Sequence, residues 1–222
     1  MTPSRDVLVT GATGYMGTRL VPALVARGHR VRALTREASR GRVAGGAESI
    51  VGNALDAASI AAALRPEDTL VHLVGTPHPS PAKAKEFVAI DLASVRAAVQ
   101  AARAAGVSHF VYVSVAQPAP VMRAFLDARA QGERLIRESA LPATILRPWY
   151  VLGPGHQWPY LLVPFYVVMR ILPRFRDGAE RLGLVTVRQM IAALVKAVEH
   201  APLAGEVRVV GVPEIRASVD AG

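Results

Sequence analysis

Glycines at positions 11, 14 and 17 follow the apolar run Val7-Leu8-Val9 and lead into an apolar stripe, in the stretch VLVTGATGYMGTRL. Three residues without a side chain, spaced where a strand must become a helix, leave few folds open. Gly11 allows a tight turn, Gly14 lets another group approach the backbone, and Gly17 lets the helix pack closely on the strand. The free N–H groups and the positive dipole end of that helix then face whatever lies beyond the strand. Strand, G-x-x-G-x-x-G and helix in this order form a phosphate-binding arrangement of the kind that receives a dinucleotide. The strand before, the helix after and the βαβ pattern that continues favour a bound cofactor, with a ligand-free glycine-rich turn as the competing reading.

That pattern runs through the chain. Strands are expected at 6–10, 29–35, 48–51, 69–74, 109–114, 143–147 and 207–210. Helices are expected at 15–27, 56–64, 83–105, 121–139 and 187–200. In the third helix Val88, Leu92, Val95, Val99 and Ala102 fall at spacings of four and three, which places them on one face. The fifth strand, HFVYVS, is almost wholly apolar, as a parallel strand buried on both faces should be. The expected architecture is α/β: a doubly wound, open parallel sheet of about seven strands with helices on both sides. A single domain over 1–222 accommodates it, with 149–186 as a substrate-side insertion.

Composition narrows the function classes. No cysteine is present, which excludes disulfides and thiol chemistry, and the six histidines are scattered without metal-ligand spacing. The formal net charge of +9 is almost entirely arginine, with lysine only at Lys83, Lys85 and Lys196. The arginines are dispersed, with no dense basic run and no aromatic interleaving, so a basic solvated surface is expected rather than a nucleic-acid footprint. The first strand begins too early for a signal peptide to precede it, which points to the cytoplasm.

At this level of detail the chain resembles the short-chain dehydrogenase/reductase superfamily, in its extended, atypical and NmrA-like/epimerase-like branches. The resemblance rests on TGATGYMG, VRALTRE, VGNALDAASI, LVHLVG, SHFVYVSV, LPATILRPWYVLGPG and LVTVRQMIAALVKAVE, in that order. It implies a cofactor site built from Gly11, Thr13, Gly14, Tyr15, Met16 and Gly17 at the phosphates. Thr35 and Arg36 end the second strand, and Asn53, in place of the usual Asp, stands with Ala54 by the adenine. Leu73, Val74 and Gly75 end the fourth strand, and Ser114, Arg129, Pro148 and Tyr150 lie toward the nicotinamide. An NAD-preferring site carries an acid at the end of its second strand. Thr35 and Arg36 instead suit a 2′-phosphate, so the resemblance implies NADP(H) over NAD(H). Arg36 as an unliganded loop arginine, or paired with Glu37, is the competing reading.

The resemblance also exposes a gap. The family's Tyr-x-x-x-Lys pair falls on Phe125 and Arg129, and Val115 takes the place of the helper hydroxyl beside Ser114. Phenylalanine has no proton to transfer. Three readings stay open: an atypical reductase using Tyr150, His156 or Tyr160; a non-catalytic NADP(H) sensor or assembly protein; and transfer to an acceptor such as a flavin or quinone. Tyr150 and Trp149 would equally pack the cofactor ring, His156 reads as a polar loop residue, and His72 reads as a core histidine. Residues 158–173, WPYLLVPFYVVMRILP, are too few to span a bilayer and carry Arg170. They would form a pocket wall for an apolar substrate, a homodimer contact or a membrane-surface contact.

Overall fold

The computed structural model describes residues 3–119, 121–155, 178 and 181–219. Seven strands form the main sheet: β1 (Asp6–Thr10), β2 (Arg30–Thr35), β3 (Glu48–Val51), β4 (Thr69–His72), β5 (His109–Val113), β6 (Ala143–Leu146) and β9 (Val207–Val210). Their order is β3-β2-β1-β4-β5-β6-β9, and every neighbouring pair is parallel. The chain therefore winds outward from β1 in one direction and from β4 in the other, leaving a crevice at the carboxyl ends of these two strands.

Alternation along the strands assigns the two faces. Leu8, Leu70, Phe110, Tyr112 and Ile145 pack beneath α2 (Ala57–Ala63), α4 (Ala93–Ala105) and α5 (Arg123–Glu138). Val7, Val9, Val71, Val111 and Leu146 pack beneath α1 (Gly17–Ala26), α6 (Val187–Glu199) and α7 (Val212–Ala217). Each helix thus buries its apolar stripe on a sheet that has no wet face, as the continuous apolar strands require.

Several boundaries differ from expectation for physical reasons. The helix expected over 83–105 begins with the single turn α3 (Ala84–Glu86), passes through a π-helical stretch, Phe87–Leu92, and only then becomes α4. The wider π turn rotates the stripe. Phe87 becomes fully buried, while Val88, expected on the core face, is 58% exposed. Helix α5 starts at Arg123, after Met122 in a left-handed conformation (φ 62°). Strand β4 ends at His72, although Leu73 N–H still donates to Thr10 O before the chains part. A two-stranded parallel sheet, β7 (Tyr150–Leu152) with β8 (Leu184–Thr186), and the short α7 were not expected, because three to six residues carry too little periodicity. β7 and β8 lie within 149–186, most of which, including 158–173, His156 and Tyr160, is outside the described residues. Among the described residues no helix is long and apolar enough to cross a membrane, and no cluster of side chains could hold a metal ion.

One polar contact ties the far end of the sheet. Arg32 on β2 is buried and donates to Ala63 O at 2.5 Å and to Asp68 Oδ2 at 2.5 Å, and Arg65 N–H donates to the same carboxylate at 2.6 Å. Removing one partner of such a buried pair leaves an uncompensated charge, which costs about 3–5 kcal/mol. Asp68→Ala should lower the stability measured by urea unfolding by that amount, and the apolar double replacement Arg32→Met with Asp68→Leu should recover most of it.

Candidate functional site

The three glycines have different reasons to be glycine. Gly11 adopts φ +75°, and a Cβ there would lie 2.9–3.0 Å from the backbone of Leu73 and Val74. It presses the loop against the end of β4. A Cβ on Gly17 would lie 2.3 Å from Gly11 O and 2.5 Å from Ala12, so the first turn of α1 sits on the loop itself. Gly14 is unlike both. A Cβ there would meet one described atom, Gly11 O at 3.2 Å, and otherwise has room. The protein's own packing therefore explains Gly11 and Gly17 but leaves Gly14 facing the crevice, where a side chain would occupy the cradle of a bound group. The N–H groups of Thr13, Met16 and Gly17 make no hydrogen bond to a described residue, whereas Gly14 N–H donates to Gly11 O at 3.0 Å. Free amides, a positive helix end and an unfilled glycine suit a pyrophosphate. The residues present fit a dinucleotide.

The rim follows the sheet order. Thr35 at the end of β2 is buried, and its Oγ1 donates to Arg36 O at 3.1 Å. The Arg36 side chain is exposed and forms no ion pair among the described residues, with Glu37 or any other. It precedes a 3₁₀ turn, Glu37–Arg42, whose last turn carries Arg40 and Arg42, the latter donating from Nη2 to Ser39 Oγ at 2.7 Å. Gly52 N–H donates to Thr35 O at 2.9 Å, which sets Asn53 and Ala54 beside this end of β2. Asn53 Oδ1 accepts from Leu55 N–H, and its own N–H donates to Ser59 Oγ. Across the crevice, Tyr15 lies under Arg19, whose guanidinium is 4.1 Å from the ring centroid, and Tyr15 Oη is 2.3 Å from where Gly153 would carry a Cβ. Glycine loop and post-β7 segment therefore meet.

Beyond β4 and β5 the site is dominated by three buried charged side chains, Arg129, Asp91 and Glu133. Arg129 on α5 is 8% exposed. It donates from Nη2 to Asp91 Oδ1 at 2.6 Å and from Nη1 to Val113 O at 2.8 Å, and it lies between the rings of Tyr112 and Phe125. Burial alone would lower its pKa, but Tyr112 and Asp91 outweigh that and hold it above its ordinary value. Burial also raises the Tyr112 phenol, keeping it neutral. Ser114 Oγ donates to Glu133 Oε1 at 2.6 Å, and Gln117 and Arg147 bind the same buried carboxylate. Val115 is buried, and Phe125 packs against Phe87 with centroids 5.1 Å apart. Pro148 O accepts from Ala116 N–H at 2.8 Å. Tyr150 is half-buried against the edge of Trp149, and burial raises its pKa. His72 is a core histidine, held between Thr10 Oγ1 at 2.8 Å and Ser94 Oγ at 3.2 Å.

Two carboxylates of this site, Asp91 and Glu133, escaped the sequence reading. The signal was present: an acid inside FVAIDL and one inside QGERLI, each on a helix face otherwise directed at the core.

Comparison with known proteins places this geometry. A family model described as NAD(P)H-binding matches residues 11–157. A 3-diazoavenalumate denitrifying reductase from Streptomyces sp is 34% identical over 175 residues, covering 67% of this chain and 57% of that protein. A ceramide reductase from Caulobacter vibrioides is 28% identical over 195 residues, covering 85% of this chain and 59% of that protein. The chain thus spans less than two thirds of the length of either relative. A short-chain dehydrogenase/reductase superfamily protein from Agrobacterium tumefaciens, solved with bound NAD, superposes with a TM-score of 0.67 at 22% identity, covering 93% of this chain and 77% of that one. With the switch-point crevice and the glycine loop, the match of the family model over residues 11–157 shows that the chain belongs to the NAD(P)H-binding family, on a Rossmann fold.

Proposed function

We propose that this protein is an NADP(H)-dependent oxidoreductase of the atypical kind, exchanging a hydride with a small, apolar acceptor without a tyrosine acid at position 125. The observation that carries the cofactor preference is Arg36: an exposed guanidinium directly after β2, without an ion pair among the described residues, with Thr35 where an acid would bind a ribose diol. Arg40 and Arg42 add positive charge in the 3₁₀ turn that follows. A 2′-phosphate is the partner this arrangement recognises. Reductases among the similar proteins support the reaction class, and the apolar composition of residues 158–173 favours an apolar substrate.

The nicotinamide, when bound, supplies or takes the hydride. The chain's own groups position and exclude. Phe125 offers neither donor nor acceptor, and Arg129 stays charged, so position 125 and its partner move no proton. Of the three candidate acids, Tyr150 is the described one, and burial makes it hold its proton more firmly. Acceptors that take a hydride with little demand on a positioned acid, such as flavins or quinones, suit this site. The same Phe125 favours a second reading, a non-catalytic NADP(H) sensor or assembly protein.

Calorimetry tests the cofactor reading. NADPH should bind more tightly than NADH, and Arg36→Ala should remove about 1.5–3 kcal/mol of NADPH binding, the worth of a hydrogen bond to a charged group. NADH should change little; equal weakening of both cofactors sinks the assignment. NADPH consumption with flavin, quinone and simple carbonyl acceptors then separates the two readings, and binding with no turnover on any of them selects the sensor.

A further inference from the structure

Asp91 is a fully buried carboxylate with no expected place in the chemistry, yet it joins three pieces of the crevice wall. Its Oδ2 accepts from Thr76 N–H at 2.9 Å and from Thr76 Oγ1 at 2.6 Å, and its Oδ1 accepts from Arg129 Nη2 at 2.6 Å. Arg129 Nη2 in turn lies 2.3 Å from where a Cβ on Gly75 would stand, and Arg129 Nη1 holds Val113 O at the end of β5. One carboxylate thus locks the loop after β4, helix α5 and the end of β5 together. It can reach them because it sits in the π-helical stretch, whose extra residue turns position 91 inward. The Phe87 and Phe125 rings close the apolar side of the pair.

We infer that Asp91 is a positioning residue, which clamps Arg129 and the Gly75–Thr76 loop into one rigid wall and so sets binding of the nicotinamide half of the cofactor. This rests on the dinucleotide reading above. Leu73 and Val74 touch Gly11 across the switch point, so the clamped loop borders the crevice directly. The adenosine side, at Arg36 and Asn53, follows β2 and β3, and among the described residues no hydrogen bond joins it to the clamp. A rigid wall is bound at less entropic cost than one ordered by the ligand. Gly75 is part of the device, because any side chain would displace the guanidinium.

The test uses Asp91→Asn, which keeps an oxygen for Thr76 N–H but removes the charge facing Arg129, and Asp91→Ala, which removes both. Affinities are measured for NADPH and for 2′,5′-ADP, a fragment that carries only the adenosine side. Asp91→Asn should weaken NADPH about tenfold, the scale of one charged hydrogen bond, and leave the fragment unchanged. Parallel loss of both ligands, or loss of neither, overturns the positioning role. Hydrogen exchange in the ligand-free protein reads the clamp separately: in Asp91→Ala the Thr76 amide should exchange faster, with β1 and α2 unaltered. An unchanged Thr76 rate overturns the clamp whatever the ligands do. A native protein that binds NADPH while Asp91→Asn leaves that affinity unchanged overturns the inference alone, and a native protein that does not bind NADPH overturns the functional reading and the cofactor role of the clamp with it.

Discussion

Gly14→Val should fold normally and bind no dinucleotide. Gly14 has an ordinary backbone conformation, and among the described residues a Cβ there meets only Gly11 O, at 3.2 Å. The cost to the fold should be about 1 kcal/mol or less, as for a substitution outside the core. The valine methyl groups instead fill the space in front of the free amides of the α1 N-terminus, and NADPH affinity should fall about 100-fold or more, equivalent to at least two decades in Kd. Gly17→Ala provides the contrast. Its methyl group has backbone atoms at 2.3–2.5 Å and nowhere to go, so overpacking should destabilise the fold by about 1–3 kcal/mol. Calorimetry together with thermal unfolding on both variants checks the pair. A folded Gly14→Val protein that retains NADPH affinity would show that the loop is not the phosphate site.

Acid should destabilise the protein well above the range where carboxylates titrate. Burial lowers the pKa of His72 to about 3, with the Arg129 charge adding to the effect, and lowers that of His109 to about 3, with Arg5 adding. Both are neutral in the folded chain, where His72 binds Thr10 and Ser94 and His109 Nε2 lies 2.9 Å from Thr144 Oγ1. In the unfolded chain they take up a proton near pH 6.5. The unfolded state therefore binds more protons between about pH 6.5 and 3. Stability is full above that window and falls as the pH descends through it, by about 1.4 kcal/mol per pH unit for each histidine. Urea unfolding measured from pH 7 to pH 4 should show this slope. His72→Asn, which keeps polar partners for Thr10 and Ser94, should flatten it by one histidine's share even if it lowers stability at pH 7. An unchanged slope would mean that His72 is not neutral in the folded state.

The sequence by itself determined the sheet and the cradle. Val7-Leu8-Val9 and HFVYV had to be strands buried on two faces, and the alternation of such strands with amphipathic helices admits a doubly wound sheet and little else. The glycine loop was legible because each glycine answers a local demand: a left-handed turn at 11, an open cradle at 14, a helix packed on backbone at 17. Arg36 was legible as the residue directly after a strand end, but its freedom from Glu37 was not, since neighbours in sequence do not reveal which way two side chains turn.

Only the tertiary structure decided the charged interior of the site. Asp91 and Arg129 are 38 residues apart, and Glu133 gathers Ser114, Gln117 and Arg147 from separate segments. Local periodicity cannot show such pairs, because it reports which face a residue takes and not what meets it there. The π-helical turn is the clearest case. A strict count of 3.6 residues per turn put Val88 in the core, whereas one wider turn exposes Val88, buries Phe87 and swings Asp91 onto Arg129. Folding gains little from that turn locally. The packing of Phe87 on Phe125 and the pairing of a buried arginine hold it in place, and both exist only once α5 has docked on the sheet.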